Sequence, residues 1–141
     1  AATLLSPAMA VRVVGPALGQ ASTLKLALAV VTKGVVALGL EALGAARAAG
    51  AERDAAELLA DLYPGVWDLV GRVLPSYPRH VARRRAEVED AAAWIEGGGL
   101  PAPMARATAE LFARVEAAGL DPDRDWSFDA VVDALLSSGS R

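Results

Sequence analysis

Residues 19–50 read GQASTLKLALAVVTKGVVALGLEALGAARAAG, a stretch with no proline and only four charged residues, Lys25, Lys33, Glu41 and Arg47. Proline is the strongest breaker of a helix interior. Its absence from a run dominated by alanine and leucine predicts one long buried helix over Gly19–Ala49. Leu24, Leu28, Val31, Val35, Leu38, Ala42, Ala45 and Ala49 recur at alternating intervals of four and three, which keeps one apolar seam on one side of that helix. A seam this regular calls for a partner helix. At the usual rise per residue the helix is about 43 Å long, longer than a small domain is wide, so part of it is expected to pack beyond its own domain. Gly50 suits the left-handed position that closes such a helix.

The rest of the chain supports the same class. Its 141 residues amount to one domain's worth, 54% of them hydrophobic and 32 of them alanine. Few are aromatic or β-branched outside short valine clusters, so an all-α fold of about six helices around the long one is expected. A net charge of −3 and a pI near 5.1 oppose general nucleic-acid binding. The basic run RHVARRR at 79–85 is read mainly as a solvated face, because acidic residues adjoin it. With no cysteine and one histidine, disulfides, thiolate nucleophiles and a zinc site are not expected, and no metal site is proposed. Lys33 and Glu41 interrupt the long apolar stretch, and no charged leader followed by an apolar core opens the chain. A soluble, cytoplasmic protein with no membrane partner is the expectation.

Basic residues in this chain are nearly all arginine: twelve arginines stand against two lysines, Lys25 and Lys33. Arginine stays protonated, whereas a desolvated lysine can release its proton, as a general acid/base must. Lys25 follows the turn GPALGQAS and sits one position past the seam. It reads either as such a group or as a snorkelling side chain whose stem covers apolar surface.

Further along, helices are expected from about Asp54 to Leu62, with Asp54 as a candidate N-cap and Pro64 as the stop, and around Trp67, Val70, Val73 and Leu74. A loop at Pro75, Tyr77 and Pro78 could present the Tyr77 hydroxyl to a cleft. The helix from about Arg79 to Glu96 has the stripe Val81, Val88, Ala92 and Ile95, and Arg84 lies about 40° from its centre. His80 and Arg84, one turn apart, could receive a carboxylate or phosphate while Glu87 fixes the guanidinium. The competing reading is an ion pair of Arg84 with Glu87 or Glu41. Gly97–Gly99 end this helix. The next starts at Pro103 with a face of Met104, Ala107, Leu111, Val115 and Ala118 and is capped by Gly119. Asp121–Asp125 read as a solvated turn, and Ser127 as the N-cap of a last helix bearing Phe128, Val131, Val132, Leu135 and Leu136.

Gly19, Ala21 and Lys25 occupy the three fixed positions of a G-x-G-x-x-x-K pattern, and Ala29 lies four residues beyond the lysine. With the stretches LKLALAVVTKGVVAL (24–38) and RHVARRRAEVEDAAAWIEGGGLPAPMARATAE (79–110), the chain resembles the β-hydroxyacid dehydrogenases, which include 6-phosphogluconate dehydrogenase. The resemblance is to the branch whose C-terminal domain has no assigned function. Those enzymes join a Rossmann domain to an all-helical C-terminal domain whose long first helix carries the catalytic lysine; an asparagine is expected where Ala29 stands.

The resemblance implies that residues 15–141 are the helical substrate-binding and dimerisation domain, and that residues 1–14, with the candidate strand VRVV at 11–14, are a remnant of a preceding Rossmann domain or a linker. Lys25 would exchange a proton with the hydroxyl of a small anionic hydroxy-acid-like substrate. Ser22 and Thr32 would flank it and His80 and Arg84 would bind the anion. NAD or NADP would be held mainly by a domain absent from this chain, which has no G-x-G-x-x-G cradle. A homodimer is expected. The alternative is a stand-alone helical protein that dimerises through the seam without catalysis.

Overall fold

The computed structural model describes residues 14–138, and the expectations for the remnant and the candidate strand fall almost wholly outside them. Six α-helices and one 3-10 turn account for the ordered elements among the described residues, with no strand. They are α1 (Gln20–Ala48), α2 (Glu52–Leu62), α3 (Pro64–Val73), the 3-10 turn Leu74–Ser76, α4 (Tyr77–Gly97), α5 (Pro103–Ala117) and α6 (Phe128–Ser138). The other five α-helices all pack on α1.

Glycines stop three of these helices. At the end of α1 the Gly50 N–H donates to the Arg47 carbonyl at 3.0 Å and the Ala51 N–H to the Ala46 carbonyl at 2.9 Å, with Gly50 at φ +73°. This double bond pattern satisfies carbonyls that the helix leaves open, and it needs a left-handed residue. The same arrangement closes α4: Gly99, at φ +85°, donates to Glu96 and Leu100 donates to Ile95. Gly119 ends α5 as read from the sequence. Prolines open α3, α4 and α5, where a missing N–H costs no hydrogen bond. Ser127 caps α6, its Oγ accepting from the Ala130 N–H at 3.2 Å. Asp54 is not a cap, because α2 already begins at Glu52 and Asp54 falls in its first turn. There its charge faces the positive end of the helix dipole.

The seam of α1 is not its core face. Leu28 and Val31 are 68% and 63% exposed, and Leu24 and Leu38 are about half exposed. The side chains that reach the core are Ala29, Val36, Ala37, Leu40 and Leu43. At 100° per residue their mean direction lies about 150° round the helix from the seam. A helix that is apolar nearly all round offers more than one stripe, and the packing of the other helices selects among them. By length and composition α1 would also suffice to cross a bilayer, contrary to the sequence reading that its charges forbid this. The central helix of a packed bundle passes the same test, and here five helices cover one side of it.

Val36 and Leu40 of α1 meet Leu74, Tyr77 and Val88, then Phe112 and Val115 of α5 and Val131 and Val132 of α6. The α4 stripe is as read, with Val81, Val88 and Ala92 buried. That of α5 is not: Met104 and Ala107 are exposed, and the buried set is Ala105, Thr108, Ala109, Phe112 and Val115, turned about 95° from the expected one. Tyr77 is no loop residue. It begins α4, is wholly buried, and stacks edge-on against Phe112 at 4.9 Å between ring centres. The acidic turn is exposed but tied down: Arg79 donates to the Pro122 carbonyl at 3.0 Å and the Trp126 backbone N–H to the Pro75 carbonyl at 3.1 Å.

Candidate functional site

The core stripe of α1 contains two charged positions, Lys33 and Arg47, and both are paired. Arg47 joins the end of α1 to Glu52 of α2 and Asp133 of α6, at 3.2 and 3.1 Å. Lys33 faces α4, its Nζ 2.9 Å from Glu87 Oε2, with only 14% and 24% of the two side chains exposed. Arg83, one turn before Glu87, reaches the other carboxylate oxygen at 2.6 Å. Burial alone would raise the Glu87 pKa. The Lys33 hydrogen bond and charge, joined by those of Arg83, overcome this and hold the carboxyl below its ordinary value.

Beside this pair lies a cleft of about 230 Å³, walled by Lys25, Leu26, Leu28, Ala29, Thr32 and Lys33 of α1 and by Glu87 and Asp90 of α4. Lys25 stands at its open end on the side of α1 that carries the core stripe, about 40° from that stripe. Its side chain is exposed, so the low-dielectric setting expected of a buried lysine is not present here. Thr32, seven residues on and nearly in line, lines the same cleft. Ser22, on the same side a turn earlier, is exposed and outside the lining.

His80 and Arg84 are not in this cleft. Arg84 lies over the Tyr77 ring, 4.1 Å from its centre, and donates from Nη2 to Ser76 Oγ at 3.0 Å. Burial of the guanidinium lowers its pKa, and its Nη1 is buried without a partner among the described residues. His80 is half-buried one turn before it. The expected His80–Arg84–Glu87 trio therefore does not assemble. Arg84 turns inward onto an aromatic ring, and Glu87, about 60° further round the same flank of α4, is taken by Lys33 and Arg83. The sequence reading missed Lys33, Glu87 and Asp90 as cleft residues. Lys33 would have been found by taking Ala29, Val36, Leu40 and Leu43 as the buried stripe, since it falls on that line.

A larger cavity of about 710 Å³ opens at the other end of α1, among Leu43, Arg47, Trp67, Val70 and Phe128. Its size does not make it the better site. Its inner guanidinium, Arg47, is already held by carboxylates, and Trp67 packs on Phe128 at 6.0 Å. No group of three or more metal-ligating side chains gathers among the described residues.

Residues 46–115 match the family described as a domain of unknown function, DUF1932. The fold is similar to the crystal structure of a conserved hypothetical protein from Sinorhizobium meliloti 1021, at 35% identity and a TM-score of 0.77 over 96% of this chain. The chain spans less than half, 46%, of that protein. No curated protein matches the sequence.

Proposed function

Since this chain carries a DUF1932 domain, a C-terminal helical domain of 6-phosphogluconate dehydrogenase-like proteins, we propose that it is the substrate-binding and dimerisation domain of an NAD(P)-dependent β-hydroxyacid-type dehydrogenase. One observation carries the reading. Lys25 and Thr32 line one cleft between α1 and α4, with the Lys33–Glu87 ion pair in its wall beside Leu26, Leu28 and Ala29.

In that role Lys25 takes the proton from the hydroxyl of a small anionic hydroxy acid as the substrate is oxidised, and returns it in the reverse direction. Its exposure, in a cleft without His80 and Arg84, is the arrangement that the second reading below expects. The residues here do not fit the dinucleotide. A Cβ placed on Gly19 would meet nothing within 4 Å, so no backbone cradle closes there. The Gly98 and Gly99 N–H groups are spent on the end of α4. NAD or NADP therefore belongs, on this reading, to another domain of the longer protein.

The test is Lys25→Met in a full-length protein containing this chain. Turnover should fall by about 10²–10⁴-fold, with dinucleotide binding nearly unchanged. Unchanged turnover would refute the assignment.

A second reading is favoured by the exposed seam of Leu24, Leu28, Val31 and Leu38: a helical interaction protein that dimerises through α1 without catalysis. Both readings place a second copy on that seam. They part at Lys25→Met, which on the second reading alters nothing that the dimer does.

A further inference from the structure

The cavity of about 710 Å³ has Arg47 in its wall, about 33 Å along α1 from Lys25, so a small molecule bound there does not reach that lysine. Its volume is that of a small-molecule site, typically about 300–1,000 Å³. Leu43 and Val70, 3% and 1% exposed, give it a buried apolar wall. Trp67 and Phe128 add two half-buried aromatic rings, tilted 43° to each other.

The charges around the cavity decide the sign of what it can hold. Arg47 is shared by Glu52 at 3.2 Å, Asp133 at 3.1 Å and Asp129 at 3.7 Å, so this guanidinium is more than neutralised. Arg53, the other cation of the lining, is largely exposed and bonded to Glu57 at 3.0 Å. Asp68 has no cationic partner among the described residues, and Arg72, one turn further along α3, lies outside the lining. The lining alone carries three carboxylates, Glu52, Asp68 and Asp129, against the two guanidiniums. With Glu57 and Asp133, which hold those guanidiniums, the count is five against two.

Such a surplus opposes an anion. It does not suit a metal ion either, because no three metal-ligating side chains converge among the described residues. What fits is a cation with an apolar body. Aromatic rings attract an alkylated ammonium through the negative faces of their π systems, and the apolar wall takes the rest of the molecule out of water.

We infer that this cavity is a second ligand site and that it takes an organic cation, an ammonium group on an aryl or branched apolar body. The charge lies toward Asp68 and Asp129, and the body lies against Trp67, Phe128 and Leu43. The site is independent of the reading of Lys25.

The test titrates ¹⁵N-labelled protein with benzyltrimethylammonium and, as an aryl anion of similar size, with phenylacetate. The three tryptophans of this chain each give an indole N–H signal, and Trp67→Phe assigns the one at the cavity. The cation should shift the Trp67 signal with a Kd of about 1 mM, the strength open to so small a ligand. Trp94 and Trp126, outside the lining, should stay in place. Phenylacetate should move none of the three. Asp68→Asn removes an exposed charge that is engaged in no ion pair, and should weaken the cation about threefold.

A Trp67 signal unmoved by the cation overturns the inference. So does a shift of equal strength with phenylacetate, which would show an apolar cavity indifferent to charge, and so does an Asp68→Asn protein that binds the cation as tightly as the parent. The comparison of cation with anion is made on the parent protein, so it survives an Asp68 variant that fails to fold. The dehydrogenase reading is judged separately, by turnover of Lys25→Met.

Discussion

Tyr77→Phe should stabilise this protein. Tyr77 is wholly buried, and its hydroxyl has no hydrogen-bond partner among the described residues. A buried polar group left unsatisfied costs about 1–3 kcal/mol relative to its hydrated state in the unfolded chain, and the phenylalanine side chain has no such group. Little is lost in exchange. The ring keeps its edge-on contact with Phe112 and stays beneath the Arg84 guanidinium, with only a modest change in the cation–π attraction. The expected net gain is about 1 kcal/mol, or roughly 3–5 °C in Tm for a domain of this size.

Urea unfolding followed by tryptophan fluorescence measures it, with an unchanged m-value showing that the denatured state is the same. A second readout tests the same cause. Burial pushes the phenol pKa above its ordinary value of 10.0, against the opposing charge of Arg84. The proton is thus held more tightly in the folded state. That contribution is complete below pH 10 and is lost as pH rises above it, in the parent but not in Tyr77→Phe. A variant destabilised by 1 kcal/mol or more, with the parent's alkaline sensitivity intact, would show that the hydroxyl is bonded and refute the reasoning.

Glu87→Gln should remove part of the acid sensitivity. The folded-state pKa is lowered, so its contribution is full above the ordinary value of 4.5 and lost as pH falls through the lowered one; comparing stability at pH 7 and below pH 4.5 in both proteins checks the sign. Gly39→Ala should stabilise by about 0.5–1 kcal/mol, because a Cβ there meets the Val70 methyls at an ordinary 3.5 Å while a flexible residue leaves the middle of α1; a loss in thermal unfolding would refute it. Leu28→Glu with Val31→Glu, both on the exposed seam, should convert a dimer to a monomer in sedimentation velocity while leaving the circular dichroism unchanged; a parent that is already monomeric at tens of micromolar would sink the shared interface.

The fold class was legible because local chemistry decides it. Gly50, Gly99 and Gly119 stand where left-handed residues close helices, Pro103 and Ser127 stand where helices open, and α4 has its branched aliphatic residues, Val81, Val88 and Ile95, on one side only. Which face of α1 and α5 turns inward was less so. Alanine carries little burial signal. On α5 a stripe drawn through Met104, Ala107 and Leu111 competes with one through Ala105, Ala109 and Phe112. Only Phe112, the largest apolar side chain on that helix, distinguishes them, and it sits wholly in the core.

On α1 the ambiguity bears on the site itself. Two stripes of similar apolarity run along that helix, and the more regular of them faces outward. Its counterpart, through Ala29, Val36, Leu40 and Leu43, contains Lys33 and Arg47, charges that look like interruptions until acidic residues on α4, α2 and α6 are brought opposite them. Those pairings join residues 54 and 86 positions apart in Lys33–Glu87 and Arg47–Asp133, so no local pattern announces them. Lys25 differs in having no such acidic partner among the described residues. It continues the inward side of α1 past the point where Glu87 and Asp90 of α4 provide the facing wall, which leaves its ammonium at the mouth of the cleft rather than inside the core. The local motif could point to Lys25, but only the packed helices reveal that the chain's other lysine forms the inner wall of the same cleft.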